Sequence, residues 1–458
     1  MNHLLDLFQE LDYKKIEYVV WKNCNLIDKF LDGRENLDIY INEKNKEKFK
    51  LFIKEKLWIE VKSTTINHKD INHYLFITDK KIYHIHIYFR LVTGNSISKN
   101  YDLTELYNYF ENKIFDNKNN LWIMNYDLQL ELFKIRLACK QQSWLGSFLI
   151  NRDLNNYINE LKLLIKNADD KKKFYFSKIK INLIKINFYT NNDSKNILTH
   201  ISNYKRFNDY ASMLIESKFL FKVFIKNFFG YKKFRLKKKI YIFISGADSS
   251  GKTTIIEDFE KLFSKYFKTK KYNIGKPFPK FVEQFFLKKK ISKKSTSSSL
   301  TNKNLGILKI LNNINLGLLR FLYSLNIFYF HNNTNIFLLD RYVSEFTGHI
   351  NGPRLQKNNN LNTLNYFLFK TENYFYKLIK PINVEFRLIT DVNTCLKRNK
   401  KRLKLAKETD DEIIFRHKIF SNSRFKSKKI IELNNDLNKL DSINNIIKII
   451  VKDLNENN

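Results

Sequence analysis

Cysteine, proline and glycine are scarce in this chain, with 3, 4 and 11 copies among 458 residues, and each shortage removes a class of protein. Cys24, Cys139 and Cys395 lie far apart and form neither a C-x-x-C pair nor a disulfide framework. That pattern suits a reducing cytoplasm and excludes a small cross-linked scaffold. So little glycine and proline excludes collagen-like and proline-rich chains. No basic segment followed by an apolar core opens the sequence, so no signal peptide is read there. The most apolar long stretch, 305–339, is broken by Lys309, Asn312, Asn313, Asn315 and Arg320, too often to span a bilayer unaided. Acidic residues are outnumbered, 46 against 82 lysines and arginines, leaving a net charge of +36. Such a field favours anionic partners, but lysine, asparagine and isoleucine crowd every segment, so charge alone selects none. What the chain does have is apolar bulk, 43% hydrophobic and 15% aromatic residues, enough to offset chain entropy and exclude global disorder. At roughly 150 residues per domain, its length allows two or three domains.

Residues 1–100 read as a small α/β unit, with an amphipathic opening helix and strands at 17–21, 37–41, 74–78 and 82–89. The turn Asp79-Lys80-Lys81 joins the last two strands. Residues 101–230 read as a helical middle region, with apolar spacing through Leu128, Leu132, Phe133 and Leu137. The charge run Tyr231 to Lys239 marks the junction. From 231 to 458 short apolar strands alternate with helices, near 240–245, 272–275, 336–339, 384–389 and 430–433. That order predicts an α/β domain with a parallel sheet flanked by helices. Lys288 to Asn304, with its lysine and serine runs, reads as a loop.

Gly246-Ala247-Asp248-Ser249-Ser250-Gly251-Lys252-Thr253 fits G-x-x-x-x-G-K-S/T between an apolar strand and an amphipathic helix. Glycines let the backbone N–H groups turn inward on phosphates, and the helix N-terminus adds its positive end. Gly246, Ser249, Ser250, Gly251, Lys252, Thr253 and Thr254 are therefore the expected ATP-binding residues. Lys252 is placed on the β- and γ-phosphates and the Thr253 hydroxyl on Mg²⁺. Asp340 and Arg341 close the strand 336–339. A carboxylate there can hold the metal with Thr253, and the arginine can neutralise charge on a transferring phosphoryl group. Arg398, Lys400, Lys401, Arg402 and Lys404 form a basic segment suited to closing over phosphates as a lid. Lys252, Asp248, Asp340, Arg341 and Arg398 are thus the expected catalytic residues.

Residues from 239 to 458 resemble the thymidylate kinase family of P-loop nucleoside monophosphate kinases. The likeness lies in the Asp248-containing loop, Asp340-Arg341-Tyr342, Pro381 before a strand, Asp391 and the Arg398 region. It implies an ATP- and Mg²⁺-dependent phosphotransferase in which Asp248, Asp340 and Arg341 face the acceptor. Where the family carries Arg-Glu-Pro-Gly-Gly, this chain has Ile274-Gly275-Lys276-Pro277-Phe278-Pro279. The acceptor is left open between a nucleoside monophosphate and another small molecule, and the architecture is similar to kinase-like proteins of bacterial surface polysaccharide biosynthesis. The alternatives are a nucleotide-binding assembly or switch protein with negligible turnover, and a bifunctional nucleotidyltransferase-kinase.

Asp32 to Ile39 resembles the nucleotidyltransferase segment that sets an Asp-x-Asp pair on a strand. Here Asp38 remains, Asn36 takes the partner position and His84 the place of a third carboxylate. Two-metal chemistry needs those carboxylates, so a degenerate, non-catalytic domain is expected. His84 and His86 share a strand face, with His68 and His73 able to come near; they are read as a hydrogen-bonded polar face, with a metal site as the alternative. The run Phe219 to Phe229 mixes aromatics with lysine and is read as a core helix. Peripheral contact with an anionic membrane is the alternative, and no specific nucleic-acid partner is expected.

Overall fold

A computed structural model describes residues 2–95, 97–169, 191–275, 277, 307–330, 334–355, 363–401, 408–436 and 439–456. The expected loop at 288–304, and Arg402 and Lys404 of the basic segment, lie outside the described residues. The chain forms two compact units, Met1–Lys237 with Ile447–Asn458, and Lys238–Ile446.

The first unit is built on strands β1 (Tyr18–Lys22), β2 (Asn36–Ile41), β3 (Ile59–Ser63), β4 (Ile71–Ile77), β5 (Ile82–Tyr88), a short pair β6 (Val92–Thr93) and β7 (Tyr101–Asp102), then β8 (Lys113–Asp116), β9 (Leu121–Met124) and β10 (Phe234–Arg235). Eight of these form a mixed sheet in the order β10-β3-β4-β5-β2-β1-β9-β8. Alternation along the strands sends successive side chains to opposite faces. Tyr18, Val20, Leu37, Ile39, Ile85 and Ile87 pack one face against the helices Asn2–Tyr13 and Lys46–Glu55. Val19, Trp21, Tyr40 and Tyr88 pack the other against Leu128, Leu132 and Ile135 of the helix Tyr126–Gln141.

Two expectations change here. The segment before Tyr126 is a β-hairpin, not helix: Asp116 faces Leu121 across a polar turn in which Asn120 sits at φ +52°. An asparagine in the left-handed region makes a turn of what the apolar count alone runs into the next helix. The run Phe219 to Phe229 is helical as far as Phe228, in the helix Asp209–Phe228, but it is not core. Phe221, Phe224 and Phe228 are 64%, 67% and 75% exposed, and Ser212 is the helix's buried residue. Its apolar residues are contiguous and circle the helix, so no single stripe is available to bury them.

The second unit carries β11 (Ile240–Gly246), β12 (Thr269–Asn273), β13 (Ile336–Arg341), β14 (Ile382–Ile389) and β15 (Ser427–Asn434). They form an all-parallel sheet in the order β12-β13-β11-β14-β15, with helices between the strands. This is the parallel α/β sheet expected from the alternating pattern. Phe243, Phe337 and Leu339 anchor its core. A buried carboxylate ties three strands: Glu385 on β14 accepts from Ser245 Oγ at 2.6 Å, Arg387 Nε at 3.0 Å and Ser427 Oγ at 2.9 Å. Since β11 runs between β13 and β14, its C-terminal end opens at the topological switch point, where open α/β sheets bind ligands.

Candidate functional site

At that end β11 gives way to the loop 247–251, which feeds the helix Lys252–Ser264. Ser249 and Gly251 hold positive φ, +66° and +97°, so the backbone curls back on itself. Gly251 has no room for a side chain, because a Cβ there would lie 2.8 Å from Asn435 Nδ2. The helix has no side-chain cap, leaving its first N–H groups for an anion. Ser249 Oγ and Ser250 Oγ are buried without a hydrogen-bond partner. Lys252 Nζ folds over the loop, donating to the carbonyls of Gly246 at 2.8 Å and Ala247 at 2.6 Å. Thr253 and Thr254 are exposed in the first turn. Uncapped amides, orphaned hydroxyls and an ammonium at one place fit an oligophosphate.

A cavity of about 340 Å³ opens before the loop, lined by Lys252, Asp248, Asp340, Arg341 and Arg416 over an apolar floor that includes Phe420 and Phe425. Asp340 and Arg341, at the end of β13, reach it from the neighbouring strand; the Arg341 guanidinium makes no ion pair or hydrogen bond among the described residues. Asp248 Oδ2 accepts from Arg416 Nη1 at 3.0 Å. Burial pushes the Asp248 carboxyl up, but the Arg416 hydrogen bond and the charges of Lys252, Arg416 and Arg341 outweigh it and hold the group below its ordinary value.

Arg416 is the site residue that the sequence reading missed. It lies on the helix Asp410–Asn422, whose start is fixed by the capping box of Thr409 and Glu412. That Thr-x-x-Glu signal was available in the sequence and places Arg416 two turns into a helix. Arg398 stands elsewhere than the mouth of the cavity. From the helix Val392–Lys400 it donates to the carbonyls of Ser250 at 3.3 Å, Asn435 at 2.7 Å and Asp436 at 3.2 Å, while Asn435 Nδ2 donates to Ser250 O at 2.7 Å. It thus braces the phosphate loop against the end of β15.

In the first unit, β2 and β5 run parallel with Asn36 beside His84 and Asp38 beside His86. Asp38 is buried and surrounded by donors, with Lys22 Nζ at 3.3 Å, Asn23 Nδ2 at 3.0 Å and His86 Nδ1 at 3.1 Å. Burial would raise its pKa, but Lys22 and His86 hold it far below the carboxylate range. Desolvation drives His73 down to about 3 and also depresses His84 and His86. His68, half-buried with its pKa lowered to about 4 by desolvation, is not among the cluster of His73, His84 and His86.

No family model matches the chain, and no curated protein does. Among solved structures, the crystal structure of APE1195 aligns over 48% of this chain and 99% of its own, at 10% identity and a TM-score of 0.23. Shikimate kinase from Bacteroides thetaiotaomicron aligns over 47% and 98%, at 14% identity and a TM-score of 0.24. The YGR205w protein aligns over 50% and 94%, at 15% identity and a TM-score of 0.21. TM-scores this low carry no argument about this chain. Its own geometry does: a G-x-x-x-x-G-K-T loop leading from the central strand of a parallel sheet into a helix is a P-loop fold.

Proposed function

We propose that the second unit is an ATP- and Mg²⁺-dependent phosphotransferase of the thymidylate kinase-like type, acting on a nucleoside monophosphate or another small acceptor. One observation carries the reading: Asp248, Asp340, Arg341 and Arg416 converge with Lys252 on a single cavity in front of the phosphate loop. A protein that only held ATP would need the loop and not a second charged wall facing it. In this reading Lys252 and the loop amides bind the donor phosphates. Thr253 and Asp340 hold Mg²⁺, which supplies charge neutralisation between donor and acceptor. Arg341 and Arg416 bind the acceptor side, and Asp248 orients Arg416. Arg398 keeps the loop in shape through Ser250. Phosphoryl transfer leaves the protein little covalent work, so positioning and fixed positive charge account for the rate. A role in bacterial surface polysaccharide synthesis belongs to the same reading.

Acceptor-dependent ATP consumption tests it against the switch alternative. A panel of nucleoside monophosphates, nucleosides and sugars should contain a compound that raises ADP formation well above the rate with ATP alone. ATP binding without such a compound would favour the switch protein. The first unit has the wrong ligands for nucleotidyl transfer: Asp38 is committed to Lys22 and His86, and Asn36 and the imidazole of His84 are neutral neighbours. We read it as non-catalytic, so that Asp38→Asn leaves kinase turnover unchanged.

A membrane-surface contact is supported by the helix Asp209–Phe228. Its exposed Phe221, Phe224 and Phe228 stand among Lys218, Lys222 and Lys226, the mixture that an anionic leaflet attracts. No helix among the described residues is long and apolar enough to cross a membrane. Sedimentation with anionic vesicles at low salt should carry the protein down, and neutral vesicles should not.

A further inference from the structure

The face of the first unit's sheet that bears Asp38 also carries three histidines that the phosphate site does not use. His84 and His86 are two residues apart on β5 and point to the same face. The antiparallel pairing of β4 with β5 sets His73 directly opposite His86. One nitrogen from each of the three lies within 4.8 Å of the other two. We propose that His73, His84 and His86 form a binding site for a zinc-like divalent cation.

Two observations point to a cation and not to a polar patch that satisfies itself. First, two imidazole nitrogens bound tetrahedrally at the usual zinc distance lie about 3.3 Å apart, and His73 Nδ1 and His84 Nε2 are separated by 3.3 Å. That distance also suits an N–H···N hydrogen bond, so it does not decide alone. Second, His86 cannot be explained that way: its Nδ1 faces Asp38 Oδ1 at 3.1 Å, while its Nε2 is buried with no partner. A carboxylate on one imidazole nitrogen, leaving the lone pair of the other free, is the outer-shell arrangement of metal-bound histidine.

An all-imidazole set selects the metal. Zinc, nickel and copper suit it, whereas magnesium, calcium and manganese prefer oxygen. Three ligands leave a fourth tetrahedral position for water. The ring of Phe234, with its centroid 4.8 Å from that of His84 and 5.5 Å from that of His73, walls one side. Lys22 and Lys233 oppose a cation, and Asp38 supplies the compensating negative charge.

The full-length untagged protein, stripped with chelator, then equilibrated with Zn²⁺ and freed of excess, should retain about one Zn²⁺ per chain by elemental analysis. Co²⁺ in its place should give the intense visible bands of a tetrahedral site. His73→Gln and His86→Gln should lose the metal and the bands, while His200→Gln, at an exposed position, should keep both. Far-UV circular dichroism checks that the variants fold, and His73 is only half-buried. Asp38→Asn acts through His86: it should keep the stoichiometry at saturating Zn²⁺ and weaken affinity about 10–100-fold. Equal zinc content in wild type, His73→Gln and His86→Gln, whether all loaded or all empty, would overturn the proposal.

Discussion

Replacing Arg416 with methionine separates a catalytic contribution from a structural one. The arginine pairs with Asp248 at 3.0 Å and with Glu408 at 3.6 Å, and its side chain is 48% exposed against 27% for Asp248. Water screens such a pair, so its loss should cost at most about 1 kcal/mol of stability. In a unit of this size that corresponds to a fall of roughly 2–4 °C in Tm. Methionine keeps most of the aliphatic stem, so packing against the cavity wall changes little. Catalysis should suffer far more. A preorganised donor facing charge that develops in the transition state is worth about 3–4 kcal/mol, so kcat should drop roughly 10²–10³-fold. Steady-state turnover against acceptor concentration, with calorimetric unfolding of the same samples, measures both quantities. Turnover within about threefold of wild type would remove Arg416 from the site. A Tm fall beyond roughly 8 °C would make it a structural residue, because that exceeds what a screened pair can supply.

Other changes should act through different parts of the fold. Lys252→Ala should abolish phosphoryl transfer with an unchanged far-UV spectrum, since its ammonium folds over the loop and donates to the loop carbonyls of Gly246 and Ala247 at 2.8 and 2.6 Å. Gly251→Ala should destabilise by about 1–3 kcal/mol and weaken ATP binding, read by denaturant titration and calorimetry, because it strains a φ of +97° and presses on Asn435. Glu385→Leu should cost about 3–5 kcal/mol in chemical unfolding by leaving Arg387 buried without its carboxylate. The Asp248 pKa is depressed in the folded state, so its contribution is present above the ordinary carboxylate range and fades as pH falls through the folded-state pKa. Unfolding midpoints followed from neutral to acid pH should therefore fall less steeply in Asp248→Asn than in wild type.

The phosphate loop was legible because its signals are local: glycine where the backbone must curl, lysine and threonine at the helix start, a strand immediately before. The parallel sheet followed from short apolar runs alternating with helices, and Asp340 from its place after one of those runs. Contacts made by folding were harder to read. Arg416 meets Asp248 across a sequence separation of 168 residues, and nothing in spacing says that the helix Asp410–Asn422 will deliver its arginine to the cavity while the helix Val392–Lys400 sets Arg398 on the loop's Ser250 carbonyl. The histidines show the same limit. His84 and His86 share a face by alternation alone, but the approach of His73 depends on the register of β4 against β5, which no local pattern fixes. The hairpin at 113–124 was hidden by its asparagine-rich turn, and the exposed phenylalanines of the helix Asp209–Phe228 by an apolar count that carries no direction.

Transfer of labelled phosphate from γ-labelled ATP to a small acceptor is the decisive measurement. Full-length protein with Mg²⁺ and the acceptor panel should yield a labelled product that disappears in Lys252→Ala and falls steeply in Arg341→Ala, with ATP affinity in Arg341→Ala nearly unchanged. A wild-type protein that binds ATP but labels no acceptor, or a labelled product that persists in Lys252→Ala, would contradict a phosphotransferase built on this loop.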